Sequence, residues 1–142
     1  MRPAPAIAAL VLAAASCASA PTPHGLLRVD LPGPATGPGS PQELQLAQAV
    51  RDAAGAEGLV CQPGGEAALL RCTAAAVGNQ SHAIVIGLAR SGTGYQISID
   101  QGFHLPGRSS PVCIVQRRVS ERIALELQAP VRVDTRSDCK AQ

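Results

Sequence analysis

Four cysteines, Cys61, Cys72, Cys113 and Cys139, do most to limit how this chain can fold. The chain holds one Tyr (Tyr95), one Phe (Phe103) and no Trp. Aromatic rings supply much of the buried area of an ordinary core, so a core of Leu, Ile, Val and Ala gains most from cross-links. In an oxidising compartment four cysteines make two disulfides, with three connectivities to choose from. Their surroundings favour one. Residues 59–62 and 68–75 read as two strands, and Pro63-Gly64-Gly65-Glu66 between them is turn chemistry. The resulting hairpin brings Cys61 across from Cys72. Cys113 opens a helix over 112–127, which rises about 24 Å. A strand over 131–138 runs back about 26 Å and returns Cys139 to the level of Cys113. The expected pairs are therefore Cys61–Cys72 and Cys113–Cys139.

The remaining pattern predicts the partners of these elements. Ser40-Pro41-Gln42-Glu43 is a capping box, with Ser40 as N-cap, Pro41 at the first helical position and Glu43 reaching back. Leu46, Ala47, Val50, Ala53 and Ala54 continue as one apolar stripe, and Gly58 is a natural stop, so a helix is expected over 41–56. Residues 83–89 form a continuous apolar run, read as a central strand covered on both faces. Tyr95, Ile97 and Ile99 alternate with Gln96, Ser98 and Asp100, as in a strand with one wet face. Val112, Val115, Val119, Ile123 and Leu127 make the stripe of the second helix, which Pro130 ends. The fold class is α+β: a small, mostly antiparallel sheet of four to five strands, two amphipathic helices packed on one face, and two disulfides. Residues 41–142 make one domain. Residues 17–40 read as a Pro/Gly-rich tether, and Leu26 to Leu31 within it as an edge strand or, less favoured, a sticky segment for a partner.

The oxidising compartment follows from the first twenty residues. Arg2 gives a positive start, Pro5 to Ala15 is an uncharged apolar run of about 11 residues, and small residues follow, the build of an export signal. The run is well short of the roughly 20 residues that span a bilayer. Cleavage after Ala18-Ser19-Ala20 would leave Pro21 at the scissile bond, a poor substrate. Ala14-Ala15-Ser16-Cys17 resembles the lipobox of bacterial lipoproteins, although Ala14 stands where that motif usually has Leu. The resemblance implies a signal peptide over 1–16, lipidation of Cys17 as the first mature residue, and stable anchoring by two or more acyl chains. Ala18 in place of Asp at the next position implies the outer membrane. The expected protein is exported, periplasmic and lipid-anchored.

Charge excludes one class of partner. The chain carries 12 basic and 10 acidic residues, eleven of the basic ones Arg, with no clustered basic face of the kind nucleic acid requires. His24, His82 and His104 are scattered and no CxxC occurs, so neither metal nor cofactor is expected. Asp100, His104 and Ser109 or Ser110 lie near one another around loop 100–110. A Ser-His-Asp set needs convergence in space and an oxyanion hole, and the plainer reading is a polar loop with Ser110 capping the helix. Gly92-Thr93-Gly94 precedes no helix and lacks the context of a phosphate loop. Ser91-Gly92-Thr93-Gly94-Tyr95 is similar to the SGxxY motif of periplasmic inhibitors of c-type lysozyme, which implies a loop inserted into the lysozyme cleft. Those inhibitors are all-β barrels with a Thr-Lys-Gly motif that is absent here. The residues themselves read as a hairpin loop followed by an inward Tyr. The favoured function is non-enzymatic: protein contact in the envelope, as an accessory subunit of a complex or as an inhibitor or immunity protein for a periplasmic toxin or hydrolase. The alternatives are a periplasmic enzyme with its site around 100–110, or a carrier of a small apolar ligand.

Overall fold

The computed structural model describes residues 22–31, 38–66, 68–74, 84–102 and 109–140. The expectations for residues 1–20, Cys17 and Ala18 among them, and for His82 and His104, lie outside the described residues. In chain order the elements are β1 (Gly25–Val29), α1 (Pro41–Ala56), β2 (Leu59–Pro63), β3 (Leu70–Ala74), β4 (Ile84–Ser91), β5 (Gly94–Gln101), α2 (Val112–Leu127) and β6 (Val131–Val133). The strands form one sheet in the order β2-β3-β4-β5-β1-β6, and every neighbouring pair is antiparallel. The fold is α+β, with both helices packed against the sheet and both expected disulfides present.

The helices begin and end where local chemistry dictates. Ser40 Oγ accepts the Glu43 N–H at 3.2 Å, which satisfies one of the free donors of the first turn. Leu46, Ala47, Val50, Ala53 and Ala54 are buried along one stripe. Gly58 leaves the helix at φ +78°, a conformation that glycine adopts without penalty. In α2, Val112, Val115, Val119 and Ile123 are buried. Gln128, at φ 50°, turns the chain out ahead of Pro130.

Alternation along the strands sends one set of side chains under the helices. Leu59, Leu70, Cys72, Ile84, Ile86, Leu88, Ile97, Ile99, Leu27 and Val29 form a continuous core with the helical stripes. α1 packs over β2, β3 and β4, while α2 packs over β5, β1 and β6. Cys61 and Cys72 are directly paired across the β2–β3 ladder, with Cα atoms 3.9 Å apart. Cys113 and Cys139 lie 5.2 Å apart.

Four expectations need correction. Among the described residues the sheet has six strands, not four to five. The strand expected at the edge over 26–31 is Gly25–Val29 and lies inside the sheet, between β5 and β6. Leu26 and Leu27 are adjacent, so they point to opposite faces, and both are buried; the strand is flanked on both sides because β5 and β6 each pair with it. The apolar run of β4 is covered on one face only. Ile84, Ile86 and Leu88 are buried, while Val85, Gly87 and Ala89 are half-buried; small residues at alternate positions lengthen an apolar run without requiring a second layer. The closing strand is also shorter than expected. It ends at Val133, and turns over 135–138, not a long return strand, carry Cys139 back to α2.

Candidate functional site

The first cluster of chemical interest joins the N-terminus of α1 to the β4–β5 hairpin. The hairpin closes between Ser91 and Gly94, with Gly92 at φ +61°. Gly94 admits no side chain, because a Cβ there would meet the Val29 carbonyl at 3.0 Å and the Asp30 carboxylate closer still. This close approach docks the hairpin end on β1. Arg90 and Tyr95 then flank Glu43. Arg90 Nε donates to Glu43 Oε2 at 2.8 Å, and its second nitrogen donates to Oε1 at 2.5 Å. The Tyr95 hydroxyl donates to Oε2 at 2.8 Å, and the Gly39 N–H donates to Oε1 at 3.2 Å. The Arg90 guanidinium holds the Glu43 carboxyl at about 2; burial opposes this, and the Tyr95 hydroxyl and Gly39 N–H assist it. Burial, then the bond to Glu43, pushes the Tyr95 phenol up. Tyr95 is buried and its hydroxyl is turned to Glu43, so it points inward. The capping box shows that Glu43 caps a helix, but nothing local in the sequence reveals Arg90 and Tyr95 as its partners.

The second cluster contains the residues expected around loop 100–110. The structure brings Asp100 to His24, whose Nδ1 bonds the Asp100 Oδ1. The His24 N–H donates to Asp138 Oδ2 at 2.7 Å, and the Asp138 N–H donates to the His24 carbonyl at 2.8 Å. Ser110 is engaged elsewhere. Its hydroxyl donates to Gln101 Oε1 at 2.7 Å and accepts the Val112 N–H at 3.3 Å, at the start of α2. Ser109 is exposed. Among the described residues, the His24 ring is bonded to Asp100 and to no hydroxyl or thiol. A carboxylate orienting an imidazole is half of a general-base arrangement, and a nucleophile within reach is the other half. Among the described residues, no three His, Cys, Asp or Glu side chains converge as metal ligands.

A third cluster ties α2 to the far side of the sheet. Gln116, buried on α2, accepts the Leu26 N–H at 3.0 Å and the Ser137 hydroxyl at 2.9 Å through Oε1. Its Nε2 donates to the Cys139 carbonyl at 3.5 Å. Gly25 makes room for it, since a Cβ there would meet Gln116 Oε1 at 2.9 Å. One buried amide thus links α2, β1 and the C-terminal segment.

Two surface grooves flank α2. One, of about 960 Å³, lies between the C-terminal halves of the two helices; Ala53 and Ala56 line it, together with Leu125. Arg118 crosses one end to Glu57 as a two-pronged pair at 2.7 and 2.8 Å. The Asp52 carboxyl pushes the neighbouring Glu126 up. The other groove, of about 560 Å³, lies between α2 and β6 and is lined by Cys113, Ile114, Val131 and Val133 with Arg117, Arg132 and Lys140.

Comparison with protein-family models, with curated proteins and with solved structures finds no match. The two disulfides are consistent with an oxidising, exported compartment. Among the described residues, no helix is long and apolar enough to cross a membrane.

Proposed function

We propose that this protein is an exported lipoprotein, anchored to the outer membrane through Cys17, and that its domain works in the periplasm by protein contact. The observation that carries the reading is how the polar and apolar groups are distributed. Asp100 is held by His24, Ser110 by Gln101 and the start of α2, and Glu43 by Arg90 and Tyr95. Large apolar side chains, in contrast, stand in solvent: Leu44 is 61% exposed, Val60 51%, Ile114 51% and Leu125 81%. Ile114 and Leu125 stand beside grooves, and a rigid, cross-linked domain with open apolar positions beside grooves is built to meet another surface. The other four cysteines are paired with one another, which leaves Cys17 for acylation.

Two measurements test the reading. Membrane partition and the processed mass of the wild type are compared with those of Cys17→Ser. Loss of acyl mass and of partition is expected, and unchanged partition overturns the anchoring. For the contact, a photo-crosslinking amino acid is placed in turn at Leu44, Ile114 and Leu125 in cells. Discrete protein adducts from at least one position are expected. Absence of adducts from all three, with ester hydrolysis by the purified domain that His24→Ala abolishes, would replace contact with catalysis. An apolar molecule that co-purifies with the domain in stoichiometric amount would point to the carrier role.

A further inference from the structure

We infer that the outer edge of β6 and the groove beneath α2 form a docking site for an extended, acidic segment of a partner protein, which adds to the sheet as a seventh strand. The inference rests on the protein-contact reading above and specifies its surface.

Among the described residues the sheet stops at β6, but α2 does not stop with it. Cys113, Arg117, Ser120 and Glu121 recur at spacings of four, three and one along one flank of α2, and all four line the groove with Val131 and Val133. That flank overhangs the place a further strand would occupy. The backbone of β6 is ready for such a strand. Arg28 pairs with Arg132 in the β1–β6 ladder, and the Asp134 N–H donates to the Leu26 carbonyl at 2.9 Å. In an antiparallel ladder, hydrogen-bonded and non-hydrogen-bonded pairs alternate, so the N–H and C=O groups of Val131 and Val133 face outward. A strand bonded to them would direct alternate side chains under α2, between Ile114 and the two valines, as in strand addition to an open sheet edge.

The opposite edge is blunted at one end. β2 ends in Pro63, which has no N–H to offer, a common guard on edge strands. Charge selects the occupant at β6. Arg117, Arg132 and Lys140 line the groove with the single carboxylate of Glu121; Arg132 is paired with Asp30, while among the described residues Arg117 and Lys140 make no ion pair. A segment that alternates apolar and acidic residues meets both the pocket and the rim. A second copy of this chain fits worse: two β6 strands paired about a two-fold axis at their centre set Arg132 opposite Arg132, and directly opposed like charges destabilise a ladder.

The test uses the full mature chain and a synthetic heptapeptide alternating glutamate and valine, with a lysine–valine peptide of the same length as control. Binding is followed by the backbone amide shifts of Val131 and Val133 and by their hydrogen-exchange protection. Saturable shifts there with the acidic peptide, and none with the basic one, are expected. Val133→Pro removes an outward N–H without touching the β1 ladder and should abolish binding. Arg117→Glu and Lys140→Glu leave the backbone intact and should each weaken binding about tenfold at low salt, with the effect shrinking as salt rises. Unchanged binding in Val133→Pro, shifts centred on β2, or concentration-dependent dimerisation in place of peptide binding would overturn the inference. In cells, crosslinks from Leu44 or Leu125 but not from Ile114 would sink this site and leave protein contact standing. Crosslinks from none of the three would sink both.

Discussion

Glu43 combines two tasks that pull its side chain in different directions. As the third residue of α1 it belongs to a capping box, and its Oε1 reaches back to the Gly39 N–H. Both oxygens also receive Arg90, and Oε2 receives Tyr95. A buried carboxylate is costly unless paired and hydrogen-bonded, and here four donors meet it. Its carboxyl sits at about 2 in the fold against an ordinary 4.5. A depressed folded value means that the stabilisation is fully present above about 4.5 and is lost as the pH falls towards 2. Glu43→Gln keeps the shape and removes the charge. It should destabilise the domain at pH 7 by about 2 kcal/mol, a figure discounted because Arg90 is half-exposed to solvent. In urea unfolding at a series of pH values, the gap between wild type and variant should close between 4.5 and 2. A gap that stays constant across that range would show that hydrogen bonding, not charge, is what Glu43 contributes.

Among the elements, β1 is the one on which assembly turns. It has five residues, is separated from β5 by about half of the chain and from β6 by more than two thirds of it, and is paired on both sides. Gln116 fastens it to α2 by accepting the Leu26 N–H, and Gly25 leaves the space that Gln116 needs. Gln116→Leu preserves the volume but strips Leu26 and Ser137 of that acceptor and leaves the Cys139 carbonyl without the amide. A cost of about 1–3 kcal/mol is expected, with faster hydrogen exchange at the Leu26 amide than at the Ile97 amide of β5. Equal acceleration at both would mean that the amide acts on global stability and does not specifically anchor β1.

For the molecule as a whole, the disulfides divide the fold between them. Cys61–Cys72 staples two neighbouring strands at one end of the sheet. Cys113–Cys139 holds the segment after β6 against the start of α2, beyond the last strand. With sequence separations of 11 and 26, loop entropy assigns them about 3 and 3.5 kcal/mol, a large share of the stability of a small domain. Replacing Cys113 and Cys139 by Ala should cost at least as much as replacing Cys61 and Cys72. It should also open residues 134–140 to limited proteolysis, which the other pair should not do. Early cleavage near residues 59–74 in the first double variant would contradict this division. Anchoring through Cys17 would also set the domain close to its membrane, since eight residue steps from Cys17 to Gly25 reach at most about 29 Å.

The sequence by itself determined whatever depends on neighbours along the chain. Ser40, Pro41 and Gly58 bound α1 because caps and left-handed turns are local chemistry. Pro63-Gly64-Gly65-Glu66 is local turn chemistry that sends the chain back and brings Cys61 towards Cys72, while the register, Pro63 opposite Leu70, belongs to the ladder. The stripe from Val112 to Ile123 marks the buried face of α2 because helical period is a property of the segment alone. Only the tertiary structure decided the rest. Alternation in β1 reads equally as an edge strand or an inner one; its place between β5 and β6 depends on which edges remain free once the hairpins have formed. His24 meets Asp100 across 76 positions, and Glu43 meets Arg90 across 47. No periodicity encodes such pairs, because they form when separate elements bury a common core and the polar groups left at its margin must find one another.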